Sequence, residues 1–224
     1  MSLVSSITSI VPISTQEIVR ARIAEILAVE LANQKILIEA EIDLEELKPT
    51  PDLIKIKELN RYLDSIPAVI YEERVLPPDV QDMPYLNIYL NENMPIDAVS
   101  DSTMIGITKF TIESWQSSVT IGSERGDKNA AVKLQRLINA CVKIIMDRKY
   151  KFLALDSNIG HRQITRIATV PPQKNPQLMD NEMYGVIEMS VKISDGVPTY
   201  NGVLLDRNTT KVEINDKAAY TWII

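Results

Sequence analysis

A chain of 224 residues with 45 % hydrophobic and 24 % charged side chains has the length and apolar content for one good core with extensions. It holds one cysteine and one histidine, which excludes an internal disulfide and a multi-histidine metal site and, with no nucleophile motif in the chain, leaves no serine–histidine–aspartate arrangement. The net charge of −6 is unevenly spread: residues 1–101 carry −10 and residues 102–224 carry +4. Such a chain repels nucleic acid as a whole. Its two parts either attract each other between copies, head to tail, or are solvated surfaces of different sign.

The start Met1-Ser2-Leu3-Val4 has no basic residue ahead of an apolar run, so no signal peptide is expected, and no stretch is apolar for long enough to span a bilayer. Residues 1–13 read as an arm, apolar and serine-rich, with Pro12 breaking any helix. A helical segment is expected over residues 14–65. Ser14 and Glu17 have the spacing of a capping box, and Ile18, Ala21, Ile26 and Val29 carry a helix to about Gln34. From Ile36 to Glu45 apolar and acidic residues alternate, so one long helix and a helix followed by a strand both fit. Pro49 and Pro51 end the segment either way, and Asp52–Leu63 returns to helical spacing.

Residues 66–195 read as an α+β core domain. Pro67–Val75 is strand-like. Tyr85–Asn91 alternates, with Leu86, Ile88 and Leu90 on one side and Tyr85, Asn87 and Tyr89 on the other, as in a half-buried strand. Asn93–Gly106 has no period and reads as a loop. Thr108–Val119 alternates again and feeds an amphipathic helix over Asp127–Lys149, whose apolar face holds Leu134, Leu137, Ile138, Cys141 and Ile145. Asp127 is placed to cap its first amides, and Lys133, Arg136 and Lys143 fall on the opposite side. A turn at Asp156–Gly160, with His161 as a turn residue, precedes strands at Gln163–Val170 and Tyr184–Ser194. Residues 196–224 form a C-terminal β extension with a hairpin signal at Asn201-Gly202 and the aromatic residues Tyr220 and Trp222 near the end. The fold expected is therefore a mixed, mostly antiparallel sheet covered by one amphipathic helix, with an N-terminal helical segment and a C-terminal extension.

Chemistry is sparse. Gly122–Lys128 enters a helix but lacks the phosphate-loop order, and Asp127 would repel a phosphate. Asp79, Asp82, Asp97 and Asp101 are loop acids whose spacing matches no calcium or magnesium loop. Cys141 on an apolar helix face reads as a small buried hydrophobe rather than a nucleophile. No catalytic residue, metal site or cofactor is expected. Lys133, Arg136 and Lys143, together with Trp115, Tyr220 and Trp222, are instead candidates for a subunit interface.

In order and pattern of elements, the run Pro67–Tyr71, the strand Tyr85–Leu90, the stretch Lys109-Phe110-Thr111-Ile112-Glu113-Ser114-Trp115, the helix Asp127–Lys149 and the late strand Gly185–Val191 resemble the tail terminator proteins of long-tailed bacteriophages and related completion proteins of contractile tail-like devices. The resemblance covers a little over half the chain. It implies a structural, non-enzymatic virion protein that forms a ring, usually a hexamer, at the tail–neck junction after assembly in the host cytoplasm. It also implies that the ring caps the tail tube, ends its polymerisation and offers a surface for head joining. The partners implied are further copies of itself, the tail tube protein, the head–tail connector or neck protein and the sheath protein, with no sequence-specific nucleic acid and no membrane. The alternatives are a neighbouring neck or sheath-cap protein, a metal-dependent hydrolase built on the loop acids, and an adaptor that recognises one partner through its C-terminal strand.

Overall fold

The computed structural model describes residues 14–67, 69–73, 83–93, 97–100, 103–118, 125–153, 155, 159–170, 182–196, 209–214 and 218–223. Its first element is a single helix, α1 (Thr15–Glu46), of 32 residues. The capping box is formed: the Ser14 hydroxyl accepts from the Glu17 amide at 3.3 Å, and the Glu17 carboxylate accepts from the Ser14 amide at 3.2 Å. The alternating stretch from Ile36 to Glu45 continues this helix and makes no strand. A second helix, α2 (Leu53–Leu63), starts at Asp52, whose carboxylate accepts from the amides of Ile54 and Lys55 at 3.0 and 3.1 Å. It packs on α1 through a buried carboxylate. Glu45 is only 3 % exposed, and accepts from Lys48 at 2.6 Å, from Lys55 at 2.9 Å and from the Asp52 amide at 3.3 Å. The lysine hydrogen bonds hold its pKa down to about 2.

The main sheet has six strands: β1 (Val69–Glu72), β2 (Tyr85–Asn93), β3 (Asp97–Ser100), β4 (Thr103–Ser117), β5 (Ile159–Val170) and β6 (Glu182–Gly196). Their order is β1-β2-β4-β6-β5, with β3 also on β4. β1 runs parallel to β2 and every other pair in this sheet is antiparallel, so the sheet is mixed and mostly antiparallel. Between β4 and β5 comes α3 (Gly126–Met146), followed by a 3-10 turn at Arg148–Tyr150. The fold is α+β, with α1 and α3 lying on one face of the sheet.

One apolar cluster joins these layers. It brings together Leu86, Ile88, Phe110, Ile112, Ile187 and Met189 from the sheet, Leu134, Leu137, Cys141 and Ile145 from α3, and Val19, Ile23, Leu27 and Leu31 from α1. Each such fully buried side chain stabilises by about 1.5–3 kcal/mol relative to exposure. α1 thus belongs to the same core as the sheet, and the division drawn between residues 65 and 66 does not separate two cores. Close approach of α3 to β6 depends on Gly185, where an added Cβ would lie 2.5 Å from Ile138 Cδ1 and 3.2 Å from Leu134 Cδ1. Beyond the core, β7 (Thr209–Ile214) and β8 (Ala218–Ile223) form an antiparallel two-stranded sheet of their own.

Several local expectations are corrected. Part of the stretch read as a loop at Asn93–Gly106 forms β3 and the start of β4. Residues with no period of their own are ordered there by pairing along an exceptionally long neighbour. β5 begins at Ile159, so His161 is an exposed strand residue rather than a turn residue. α3 begins one residue earlier than expected, after Arg125, which makes no side-chain cap. Asp127 sits inside the first turn, accepts from the Lys128 amide at 2.8 Å and pairs with Arg125. The helix ends at Met146 rather than Lys149. The arm at 1–13, the turn 122–124, the acids Asp79, Asp82 and Asp101, and the hairpin signal at Asn201-Gly202 lie outside the described residues.

Candidate functional site

The basic side of α3 does not face open space along its whole length. Lys133 Nζ lies 3.3 Å from the Asp64 carboxylate, and Arg136 donates to the Glu58 carbonyl at 2.8 Å and to the Glu58 carboxylate. Arg136 thereby holds the Glu58 carboxyl below its ordinary range. Two of the three cations expected to be open to a neighbour therefore fasten α2 to α3. α2 is non-local in sequence to α3, so its acids could not be read from the α3 pattern. Lys143 is exposed, with no charged partner among the described residues.

Lys143 stands at the rim of a groove of about 350 Å³ between the three helices, lined also by Glu30, Gln34, Tyr62, Asp147 and Tyr150. Inside it, Glu30 accepts from the Tyr150 hydroxyl and from Lys149 Nζ at 2.9 Å, and the Tyr150 contact is the first cause of its lowered pKa. The end of α3 is closed by a buried cation from the sheet. Arg162 donates to the Asp147 carbonyl at 2.7 Å and to the Tyr150 carbonyl, a second donor to each beside the amides of Tyr150 and Leu153 at 3.0 and 2.9 Å. Burial pushes its pKa down. Outside this closure, Met146 and Phe152 are exposed at 48 % and 37 %, beside the exposed cations Arg148 and Lys151.

Trp115 lies on the sheet face turned away from α1 and α3. Its ring stacks on Tyr85 with centroids 6.1 Å apart, and lies 4.6 Å from the Tyr184 ring, while Tyr71 meets Tyr85 edge-on at 5.7 Å. This aromatic row explains why Tyr85 and Asn87 are only 2 % and 3 % exposed although β2 was expected to be half buried. Large neighbours, rather than a second layer of described helix or strand, shield them. Next to the row, Glu113 accepts from the hydroxyls of Tyr184 and Tyr89 at 2.8 and 3.2 Å and from the Asn87 amide at 3.3 Å. Burial and the Glu113 contact both raise the Tyr184 pKa, so it stays a neutral donor. Trp115 Nε1 is buried and donates to nothing among the described residues. Tyr220 and Trp222 occupy alternate positions of β8, opposite Val212 and Thr210. They and Trp115 are not brought together by any strand pairing among the described residues.

Sequence reasoning did not pick out an exposed apolar stripe on α1. On α1, the side chains Val29, Ile36, Leu37, Leu44 and Leu47 at its C-terminal cap are between 52 % and 82 % exposed. At 100° per residue they fall on one stripe, together with the exposed Ala40, opposite the stripe of Leu27, Leu31, Ile38 and Ile42 that faces inward. Leu53 and Ile54, at the start of α2, are exposed at 74 % and 78 %. A helix apolar on two faces is expected only where both are covered. The acids Glu39, Asp43 and Glu46 run along one margin of the outer stripe. The signal was present in the sequence as a second set of apolar residues at helical spacing.

Among the described residues no three histidine, cysteine, aspartate or glutamate side chains gather to hold a metal, and Asp97 begins β3. Cys141 is fully buried, and burial pushes its pKa up to about 12, so it stays a thiol. No described helix is long and apolar enough to cross a membrane. Compared with known proteins, the chain matches no family model and none of the curated sequences.

Proposed function

We propose that this chain is a structural subunit of the phage tail terminator kind. Copies close into a ring on the end of the tail tube, end its polymerisation and present a surface to the head-side connector. The observation that supports this reading best is the outer stripe of α1. Scattered exposed apolar residues are ordinary, but an aligned stripe of large aliphatic side chains marks a surface built for a protein partner. The resemblance in element order, the sheet with both helices on one face and the separate C-terminal β-hairpin support the same reading. The chemistry is physical: each added subunit buries apolar surface, and closure leaves no further polymerising edge.

The partners on this reading are other copies of the chain, the tube protein, the connector or neck protein and the sheath protein. The work is done at the tail–neck junction of a virion assembled in the host cytoplasm. Electron microscopy of the purified chain, alone and mixed with tail tubes, tests it. Rings of uniform diameter, free or seated on one end of each tube, are expected; a chain that binds neither itself nor a tube end sinks the reading.

A further inference from the structure

Two surfaces on the molecule complement each other in charge, and both are exposed. The first is the outer stripe of α1, where Ile36, Leu44 and Leu47 project beside Glu39, Asp43 and Glu46. The second is the far end of α3 and its 3-10 turn, where exposed Met146 and Phe152 lie beside the cations Lys143, Arg148 and Lys151, Lys151 Nζ standing 4.9 Å over the Phe152 ring, with Asp147 as the one exposed acid among them. Each has an apolar centre and a charged margin, of opposite sign. Along that margin three acids outnumber one cation, Lys35, so pairing α1 with α1 of another copy would set mostly acid against acid, which disfavours a two-fold contact. We infer that the outer stripe of α1 docks on the α3 end of a second copy, head to tail, with the acids of one subunit facing the cations of the next.

This rests on the assembly reading above and gives it residues. A contact between two different patches is heterologous, so every subunit keeps one free patch of each kind until a ring closes. The same arrangement accounts for the opposite charge of the two parts of the chain, −10 before residue 102 and +4 after it. Arg148 and Lys143 have no acidic partner among the described residues, whereas Lys133, Arg136 and Lys149 are already engaged within the subunit.

The test is sedimentation of the whole 224-residue chain over a concentration series, with circular dichroism to verify folding. Ile36→Glu with Leu44→Glu is expected to weaken self-association by well over about tenfold while leaving the fold intact, since both positions are exposed. Glu39→Lys with Asp43→Lys, and separately Arg148→Glu with Lys151→Glu, are each expected to weaken it by about tenfold or more. Mixing those two charge-reversed proteins is expected to restore assembly, because each reversed surface then meets its complement.

If the glutamate variant at Ile36 and Leu44 breaks assembly but the mixture shows no rescue, the stripe meets some other surface. This contact is then overturned while the ring reading stands. If wild type assembles and none of the variants affects it, the contact is likewise overturned alone. A wild-type chain that stays monomeric both alone and on tail tubes overturns both.

Discussion

The two halves of α1 have similar residues and opposite fates. In the first half, Val19, Ile23 and Leu27 are fully enclosed by the sheet and α3, while beyond Leu31 the inward residues Ile38 and Ile42 lie on the side that α2 covers, and Ile36, Leu44 and Leu47 stay in water. Enclosure of the first half accounts for folding. Exposure on the second half has no folding rationale, and its alignment into one stripe is what a subunit contact requires. One continuous helix thus serves the core at one end and presents a surface at the other.

Truncations along the helix separate the two roles most sharply. Leu27→Ala removes a side chain with no exposure and is expected to cost about 2–5 kcal/mol in denaturant unfolding. Leu44→Ala, at 61 % exposure, is expected to change unfolding by no more than about 0.5 kcal/mol and to show its effect in self-association instead. Equal losses of stability at both sites would break the comparison. Gly185→Ala tests the packing that supports the first half. Its Cβ would meet Ile138 at 2.5 Å, and an overpacking cost of about 1–3 kcal/mol is expected by thermal or chemical unfolding.

Smaller effects fall at the helix ends. Ser14→Ala deletes the hydroxyl that accepts from Glu17 and is expected to cost about 1 kcal/mol, with hydrogen exchange quickened in the first turn of α1. At the other end, Glu45 has its pKa lowered from 4.5 to about 2 by Lys48 and Lys55. Its contribution is fully present above the unfolded value and is lost as pH falls from 4.5 toward 2. An acid titration followed by hydrogen exchange is expected to loosen α2 from α1 over that window, and Glu45→Gln is expected to remove that pH dependence.

The same comparison explains what could be read from residues alone. The capping box at Ser14 and Glu17, the helical spacing over Asp52–Leu63 and the strands around Tyr85 and Ile187 are local signals, and each lies where expected. The second half of α1 was ambiguous for a physical reason. Its inward residues Ile38 and Ile42 and its outward residues Ile36, Ala40 and Leu44 interleave into an alternating string, so a helix with two apolar faces mimics a strand. The basic face of α3 is not open as expected, because what covers Lys133 and Arg136 comes from Asp64 and Glu58, 69 and 78 residues earlier. Trp115, expected as a subunit-interface candidate, packs against Tyr85 and Tyr184 of its own chain. Its stacking on Tyr85 and its tilted contact with Tyr184 depend on strand register, which no single strand's pattern reveals.

On the proposed reading this chain ends tail polymerisation, and the length distribution of tails assembled without it decides the matter. Tails made in its absence are predicted to be of uncontrolled length and unattached to heads, with uniform, head-joined tails restored when the wild-type chain is supplied. Tails of normal length joined to filled heads in its absence would rule that role out.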